Sequence, residues 1–205
     1  MIRKKTRKKP LIEEEKKATK KETKTDYLDY HYLMGVAFDL AKNPKTKYIS
    51  NYIIIATHTG LRSSDVLPLT WEDLRNKTIN IIEKKTRKKK RIAICDEIHE
   101  IIKPEYTGSP FLSKKKTVVS VQHLNFVLKE IFADDIKKRD LHISTHTFRK
   151  SFGRQIFKNN KESEKSLIYL MDLFNHADLK TTRTYLGIRQ EELDELYLNL
   201  SGKRK

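Results

Sequence analysis

The segment Leu173–Gly187, LFNHADLKTTRTYLG, carries His176 nine residues before Tyr185, across a connection rich in hydroxyl side chains. A helical pattern of apolar residues ends just before the histidine, and another helical piece carries the tyrosine. Either Tyr185 packs in the interior as an ordinary tyrosine, or its hydroxyl is presented to a substrate. A tyrosine hydroxyl can attack phosphorus when nearby cations stabilise its phenolate and the charge developing on the phosphate.

Two arginines earlier in the chain are candidates for such cations. In THTGLRSSDVLPL (57–69), Gly60 allows a sharp turn after an apolar helix and presents Arg62 at the start of the next helix. Asp65 either caps that helix or holds the guanidinium, and the plain alternative is a surface arginine at a helix boundary. In HTFRKSF (146–152), His146 and Arg149 share one helix face. A guanidinium grips phosphate with two parallel donors, and imidazole titrates near neutral pH.

A strongly basic hairpin lies between these motifs. The β-branched runs TINIIEKK (78–85) and KRIAICD (90–96) flank a cationic tip, which predicts two antiparallel strands. The tip has two interpretations. Its charges serve only to attract an anionic partner, or one lysine at the strand end, Lys84 or Lys85, points at a reacting group. Cations beyond it are predicted to bind backbone phosphates without reading sequence. The predicted DNA-binding residues are Lys84, Arg87, Lys88, Lys89, Lys90, Arg91, Lys150 and Arg183.

Charge is the strongest bulk signal in the 205 residues, because the formal net charge is +17. Such a charge repels itself and indicates an anionic partner, nucleic acid first and an anionic membrane surface second. No apolar run approaches the length of a membrane span, and the N-terminus lacks the apolar region of a secretory signal. Cys95 is the only cysteine, which argues against a disulfide framework and a cysteine-based zinc site. We expect an intracellular, cytoplasmic protein.

The pattern of elements predicts an α+β fold that is mostly helical, with a small antiparallel sheet at one edge of a helical bundle. We expect about three strands, the third within SPFLS (109–113), followed by an amphipathic helix within 118–136. Residues 1–26 are predicted to be a disordered basic arm, or a solubilising tail. A catalytic domain would occupy 27–190, and the helical pattern in 191–205 predicts a tail that docks on its own chain or on a neighbour.

The motifs TGLRSSD, KKTRKKKRIAI, HTFR and LFNH, followed by a tyrosine nine residues on, stand in one order at compatible spacing. In this they resemble the catalytic domain of the tyrosine recombinase (phage integrase) family, over about residues 48–187. Asn175 stands where the family has glycine, and asparagine also tolerates a left-handed backbone. Family members generally carry a separate helical domain in front. Only the basic arm precedes this domain, as in the short invertases that flip fimbrial promoters.

The resemblance implies a role for each matching side chain. Arg62 and Arg149 would clamp the scissile phosphate, and His176 would hydrogen-bond a non-bridging oxygen. Tyr185 would attack phosphorus to form a 3′-phosphotyrosine. Lys85, favoured over Lys84 by its spacing to the second strand, would protonate the leaving 5′ oxygen.

His146 would assist proton transfer. The implied reaction is a reversible transesterification that needs no cofactor and no metal. In the family it occurs on double-stranded DNA in a tetramer, which implies a free monomer that assembles on its sites. Accessory DNA-bending proteins are further candidate partners, in a bacterial or phage-encoded system acting at the nucleoid.

Two other functions stay open at this stage. The first is a DNA-binding protein of the same fold that accompanies or regulates another recombinase without cutting. The second is a lysine-rich RNA-binding protein, although the sequence has no aromatic RNA-recognition motif. A zinc hydrolase is disfavoured, because HISTH (142–146) lacks the glutamate of the zinc-protease motif.

Overall fold

The computed structural model describes residues 25–187. They form helices around one two-stranded antiparallel sheet. In chain order the elements are α1 (Tyr30–Ala41), α2 (Lys47–Thr59), α3 (Ser63–Val66), α4 (Trp71–Leu74), β1 (Thr78–Ile82), β2 (Lys89–Ala93), α5 (Asp96–His99), α6 (Val121–Ile131), α7 (Ala133–Arg139), α8 (Thr145–Asn159), α9 (Glu164–Phe174) and α10 (Leu179–Leu186). The mostly helical α+β class predicted from the sequence is confirmed.

Helix α2 is the centre of the core. The run from Ile49 to Thr57 is buried on every side, because α1 packs against one face of the helix and α8 against another. A helix that is apolar all round is stable only inside a protein. The interior position of α2 fixes its C-terminal end, and with it the segment that begins at Gly60.

Helix ends carry the two arginine motifs. Gly60 ends α2 in the left-handed conformation, with φ 60°, and the chain turns there to deliver Arg62 to the start of α3. Ser144 is the N-cap of α8, and its side chain accepts from the His146 backbone N–H. The sequence predicted the boundary at Gly60, because glycine readily adopts the left-handed conformation that ends α2.

The conformation of Gly60 leads to a stability prediction. A Cβ at Gly60 would lie 2.3 Å from Cδ1 of the Phe152 ring, and the positive φ adds strain. We expect Gly60→Ala to lower the free energy of unfolding by about 3 kcal/mol. Gly108→Ala is the matched control, because Gly108 also has positive φ but open space around it, so about 1 kcal/mol is expected. Chemical denaturation measures both, and equal losses would contradict the steric argument.

The sheet is a hairpin of β1 and β2, paired from Thr78 with Ala93 to Ile82 with Lys89. Glu83 extends the pairing by donating its backbone N–H to the Lys88 carbonyl, 3.0 Å away. A four-residue turn, 84–87, then forms the basic tip. The predicted hairpin is confirmed, with a long exposed cationic end.

The expected third strand is wrong for the described part of the chain. Segment 109–113 forms only an isolated bridge, between Leu112 and Val118. Pro110 offers no backbone donor, and the turn at 114–117 reverses the chain after one pair. The amphipathic helix α6 lies within the predicted range 118–136 and begins after the N-cap Ser120.

Helices α8, α9 and α10 close a second, smaller core around Phe157, Leu170, Phe174 and Leu186. Gly153 permits this contact, because a Cβ there would lie 2.9 Å from the Phe174 and Leu186 side chains. Asn175 ends α9 in the left-handed conformation that the sequence predicted for it, with φ 54°. The chain then turns through His176 into α10, which carries Tyr185.

The N-terminal segment of the described chain is fixed to the start of α8. Asp26 exchanges two hydrogen bonds with the His142 backbone, both 2.9 Å, and the Thr25 and Ser144 hydroxyls are 3.1 Å apart. These two residues thus pack on the body, although the sequence assigned them to the arm. The rest of the arm and the predicted tail, 191–205, lie outside the described residues. Within 25–187, no helix is long and apolar enough to cross a bilayer.

Candidate active site

Arg149 lies at the centre of the candidate site. Its side chain projects from α8 into the interior and is 2% exposed. One guanidinium nitrogen donates to the Gly60 carbonyl (2.8 Å) and the other to the Phe174 carbonyl (3.2 Å). The guanidinium also stacks 4.5 Å from the centroid of the Phe174 ring. Arg149 therefore ties the end of α2 to the end of α9.

Arg62 is held by Glu83, the last paired residue before the hairpin tip. Arg62 Nη1 donates to Glu83 Oε1 over 3.0 Å, and the Arg62 side chain is 15% exposed. Asp65, the residue predicted to hold the guanidinium or cap a helix, lies inside α3 and does neither. Its Oδ1 instead accepts from the Lys84 backbone N–H (2.9 Å), which fixes the start of the tip.

The two histidines flank the arginines. His176 follows the α9 C-cap, and its Nδ1 is 3.1 Å from the Thr182 hydroxyl, which orients the ring. Burial, and then the charges of Arg149 and Arg62, lower the pKa of His176 to about 4. His146 reaches solvent at the start of α8, yet burial and the same arginines lower its pKa too. Both rings are therefore neutral at pH 7 in the DNA-free protein.

Because these two histidines are neutral in the folded protein, we expect its stability to fall at acidic pH. The unfolded chain binds protons near pH 6.5, whereas the folded chain does so only at lower pH. Stability is therefore present above pH 6.5 and is lost as the pH falls toward 4. We expect a lower melting temperature at pH 5 than at pH 7, and a smaller difference in His176→Gln. Thermal unfolding at constant ionic strength measures this, and an unchanged difference in the variant would contradict the assignment.

Tyr185 packs against two other aromatic rings of the site. Its ring centroid is 5.0 Å from that of Phe174 and 5.1 Å from that of His176, and Lys150 Nζ lies 5.5 Å from it. The hydroxyl is buried, and makes no well-aligned hydrogen bond to a described residue. Burial raises the pKa of Tyr185, whereas the nearby Arg149 and Arg62 charges oppose that rise. The hydroxyl is thus protonated at neutral pH, and its ring is packed rather than freely exposed.

The predicted lysines and arginines of the hairpin divide into two groups. The side chains of Lys84, Lys85, Arg87, Lys88, Lys89 and Arg91 are exposed. Among them, the charge of Lys85 makes the smallest of the named contributions that lower the pKa of His146. Lys90 differs, because its ammonium is buried and donates to the Leu173 carbonyl (2.6 Å). Lys150 and Arg183 are partly exposed on α8 and α10.

Sequence reasoning missed Glu83, Asn175 Nδ2 and the inward direction of Lys90. Glu83 is fully buried and accepts from Asn175 Nδ2 (2.9 Å) and from the Thr86 hydroxyl (2.6 Å) in addition to Arg62. The sequence did contain a signal for both charged residues, because side chains along a β-strand point alternately to its two faces. Lys90 is two residues before Ile92 and therefore shares its inward face, and Glu83 is likewise two residues after Ile81.

The profile of the phage integrase family matches residues 29–192, which include all these side chains. The chain belongs to the phage integrase family. Among curated relatives, the probable integrase/recombinase YoeC of Bacillus subtilis (strain 168) is 28% identical over 172 residues. That alignment covers 80% of this chain and 88% of YoeC.

Solved recombinase structures share the fold of this phage integrase family member. The catalytic domain of bacteriophage HP1 integrase aligns with a TM-score of 0.52 and 16% identity, over 88% of this chain and 99% of that domain. XerA recombinase gives 0.57 and 16%, over 87% of this chain and 64% of XerA. XerH recombinase bound to its palindromic difH substrate gives 0.58 and 20%, over 88% and 54%. The predicted tyrosine recombinase catalytic fold is confirmed, and the chain spans about half to two thirds of these Xer proteins.

Proposed function

We propose that this protein is a site-specific DNA recombinase that cleaves and rejoins strands through a 3′-phosphotyrosine. The observation that carries the proposal is the convergence of the Tyr185 hydroxyl, two inward-facing arginines and two neutral histidines around the end of α9. Guanidinium groups in a partly buried site stabilise charge that develops on phosphate far better than they do in water. Family membership is consistent with this chemistry.

We propose the following cleavage step for these groups. Arg62 and Arg149 bind the non-bridging oxygens of the scissile phosphate, and His176 donates to one of them. The Tyr185 oxygen forms a bond to phosphorus while the bond to the 5′ oxygen breaks. The phenol proton passes to His146, which is neutral and able to accept it, and Lys85 donates a proton to the departing 5′ oxygen.

Lys85 is preferred to Lys84 for this donation because its spacing to the second strand matches the family pattern. The charge of Lys85 also contributes to lowering the pKa of His146. The remaining exposed cations of the tip would then contact backbone phosphates and set register. The covalent tyrosyl ester keeps the energy of the phosphodiester bond, so rejoining needs neither ATP nor a metal ion.

Strand exchange requires more than one copy on DNA. We propose a free monomer that assembles into a tetramer on its sites, with residues 191–205 as the candidate link between copies. Accessory DNA-bending proteins would help to bring the sites together. Light scattering with and without DNA tests the assembly, and a stable tetramer without DNA would contradict it.

The test of function is covalent trapping. The protein is incubated with nicked duplexes that carry candidate sites, in EDTA, and the products are separated under denaturing conditions. An adduct that resists EDTA is expected, and after nuclease digestion mass spectrometry should find a nucleotide on the peptide that contains Tyr185. DNA binding without any adduct would favour the accessory DNA-binding protein instead.

A further inference from the structure

Two buried charges of opposite sign lie inside the hairpin, on its two strands. The Glu83 side chain is 0% exposed and the Lys90 side chain 11%, and Glu83 Oε1 lies 4.0 Å from Lys90 Nζ. Removing charges from water is unfavourable unless each is paired and hydrogen-bonded. The pair belongs to a hairpin in which six other cations face solvent. A lysine that served only to bind DNA would have no reason to turn inward here.

Glu83 contacts three separate parts of the candidate site. Its Oε1 accepts from Arg62 Nη1 (3.0 Å), and its Oε2 accepts from Asn175 Nδ2 (2.9 Å), next to His176. The Thr86 hydroxyl in the tip donates to the same Oε2. One carboxylate therefore links the arginine after α2, the turn after α9 and the hairpin tip.

Lys90 contacts the same turn from its other side. Its Nζ donates to the Leu173 carbonyl (2.6 Å), and Arg149 donates to the next carbonyl, that of Phe174 (3.2 Å). These carbonyls belong to the last turn of α9, where unpaired acceptors and the helix dipole favour cations. Lys90 and Arg149 thus hold the end of the helix that leads into His176.

We propose that Glu83 and Lys90 form a positioning pair, which fixes Arg62 and the Asn175–His176 turn relative to the hairpin that carries Lys85. The inference rests on the function proposed above. Arg62, Lys85 and His176 come from three separate segments of the chain, and a misplacement of about 1 Å between such groups costs about 100-fold in rate. The pair supplies the contacts that join the three segments.

The charges around Lys90 are consistent with this role. Burial and the charges of Arg149 and Arg62 lower the pKa of Lys90 to about 8, while Glu83 and Asp65 oppose the shift. The ammonium is therefore present at neutral pH and is lost as the pH rises above 8. We expect the cleavage rate of the wild type to fall above pH 8 more steeply than that of Lys90→Met, which has no ammonium to lose.

The first test compares two lysine-to-methionine variants. At saturating nicked DNA, Lys90→Met is expected to form the covalent adduct about 10- to 100-fold more slowly than wild type. Its melting temperature is expected to fall, because Glu83 loses one of its cationic partners and the Leu173 carbonyl loses its donor, so the rate is compared at a temperature where both proteins are folded. Lys129→Met is the matched control, since Lys129 is exposed on α6, outside the candidate site. It should leave the saturated rate unchanged. A Lys90→Met rate within twofold of wild type overturns the proposal.

A double-mutant comparison tests whether the two residues act as one pair. Glu83→Gln alone is expected to slow cleavage at least as much as Lys90→Met. The double variant should be no slower than Glu83→Gln, because both changes break the same link. If the two losses multiply instead, the residues act independently and the pair is refuted. Lys90→Gln, which keeps a donor for the Leu173 carbonyl, serves if the methionine variant fails to fold.

A modified substrate separates positioning from proton donation. A 5′-bridging phosphorothioate has a thiol leaving group that needs no general acid, because the thiol pKa is far below that of an alcohol. This substrate should restore Lys85→Ala toward the wild-type rate and leave Lys90→Met slow. Full restoration of Lys90→Met would make Lys90 an acid and would refute its positioning role.

The proposal also has a readout that is independent of catalysis. In the DNA-free protein, Lys90→Met should increase hydrogen exchange in the turn at 174–177, whereas Lys129→Met should not. If the wild type forms no adduct on any substrate, the proposed function fails, and this exchange result still decides whether the pair holds the turn. An unchanged exchange pattern in Lys90→Met would refute the inference alone.

Discussion

Tyr185→Phe is expected to abolish the covalent protein–DNA adduct while duplex binding and folding persist. The substitution removes only the hydroxyl and keeps the ring that packs against Phe174 and His176. Loss of a nucleophile lowers the turnover of an enzyme by about 10⁴-fold or more. The adduct should therefore fall below detection on denaturing gels, on every substrate that traps the wild type.

The thermodynamic stability of the Tyr185→Phe variant is a second expected result. The Tyr185 hydroxyl is buried without a well-aligned hydrogen bond to a described residue, and such a group is costly to desolvate. The Phe variant should consequently be as stable as wild type or slightly more stable. Tyr169→Phe is the control, because Tyr169 is 57% exposed on α9 and should retain the adduct. An adduct that survives in Tyr185→Phe would identify a different nucleophile.

Arg149→Lys is the second substitution with a large expected effect. Lysine keeps the charge but cannot donate to the Gly60 and Phe174 carbonyls and to a phosphate in one planar arrangement. We expect adduct formation to slow by about 10²- to 10³-fold. We also expect the free energy of unfolding to fall by about 2 kcal/mol, because buried hydrogen bonds to a charged group are lost.

Single-turnover cleavage and chemical denaturation measure the two effects separately. Arg154→Lys is the matched control on the same helix, since Arg154 lies 5.4 Å from the Tyr27 ring and outside the candidate site. It should alter stability modestly and leave cleavage unchanged. If the rate loss in Arg149→Lys were explained by the unfolded fraction alone, its proposed contact with phosphate would be wrong.

Much of the fold was predictable because specific residues mark the ends of its elements. Gly60, Ser144 and Asn175 each stand where the backbone requires their type, and the structure has helix boundaries at all three. The prediction of a third strand was wrong because a strand cannot be recognised from one segment alone. Segment 109–113 has apolar residues, but strand pairing depends on a partner, and the chain turns back after one bridge.

The candidate site was likewise predictable only in part from the sequence. Arg62, His146, Arg149, His176 and Tyr185 were predicted because short motifs carry them in a fixed order. The Glu83 contacts were not predicted, because they join residues 21 and 92 positions apart. Such contacts depend on how the hairpin packs against α9, which no local pattern encodes. Lys90 was obscured by its basic neighbours, since composition alone treats all the cations of the tip alike.

The attachment of Thr25 and Asp26 to the start of α8 has a practical consequence for probe design. These residues are bonded to Ser144 and His142, two and four positions before His146. A fluorophore coupled at residue 25 would therefore lie close to the His146 end of the candidate site. It could report substrate arrival by energy transfer from labelled DNA in real time, without any change to the chemical groups that the reaction uses.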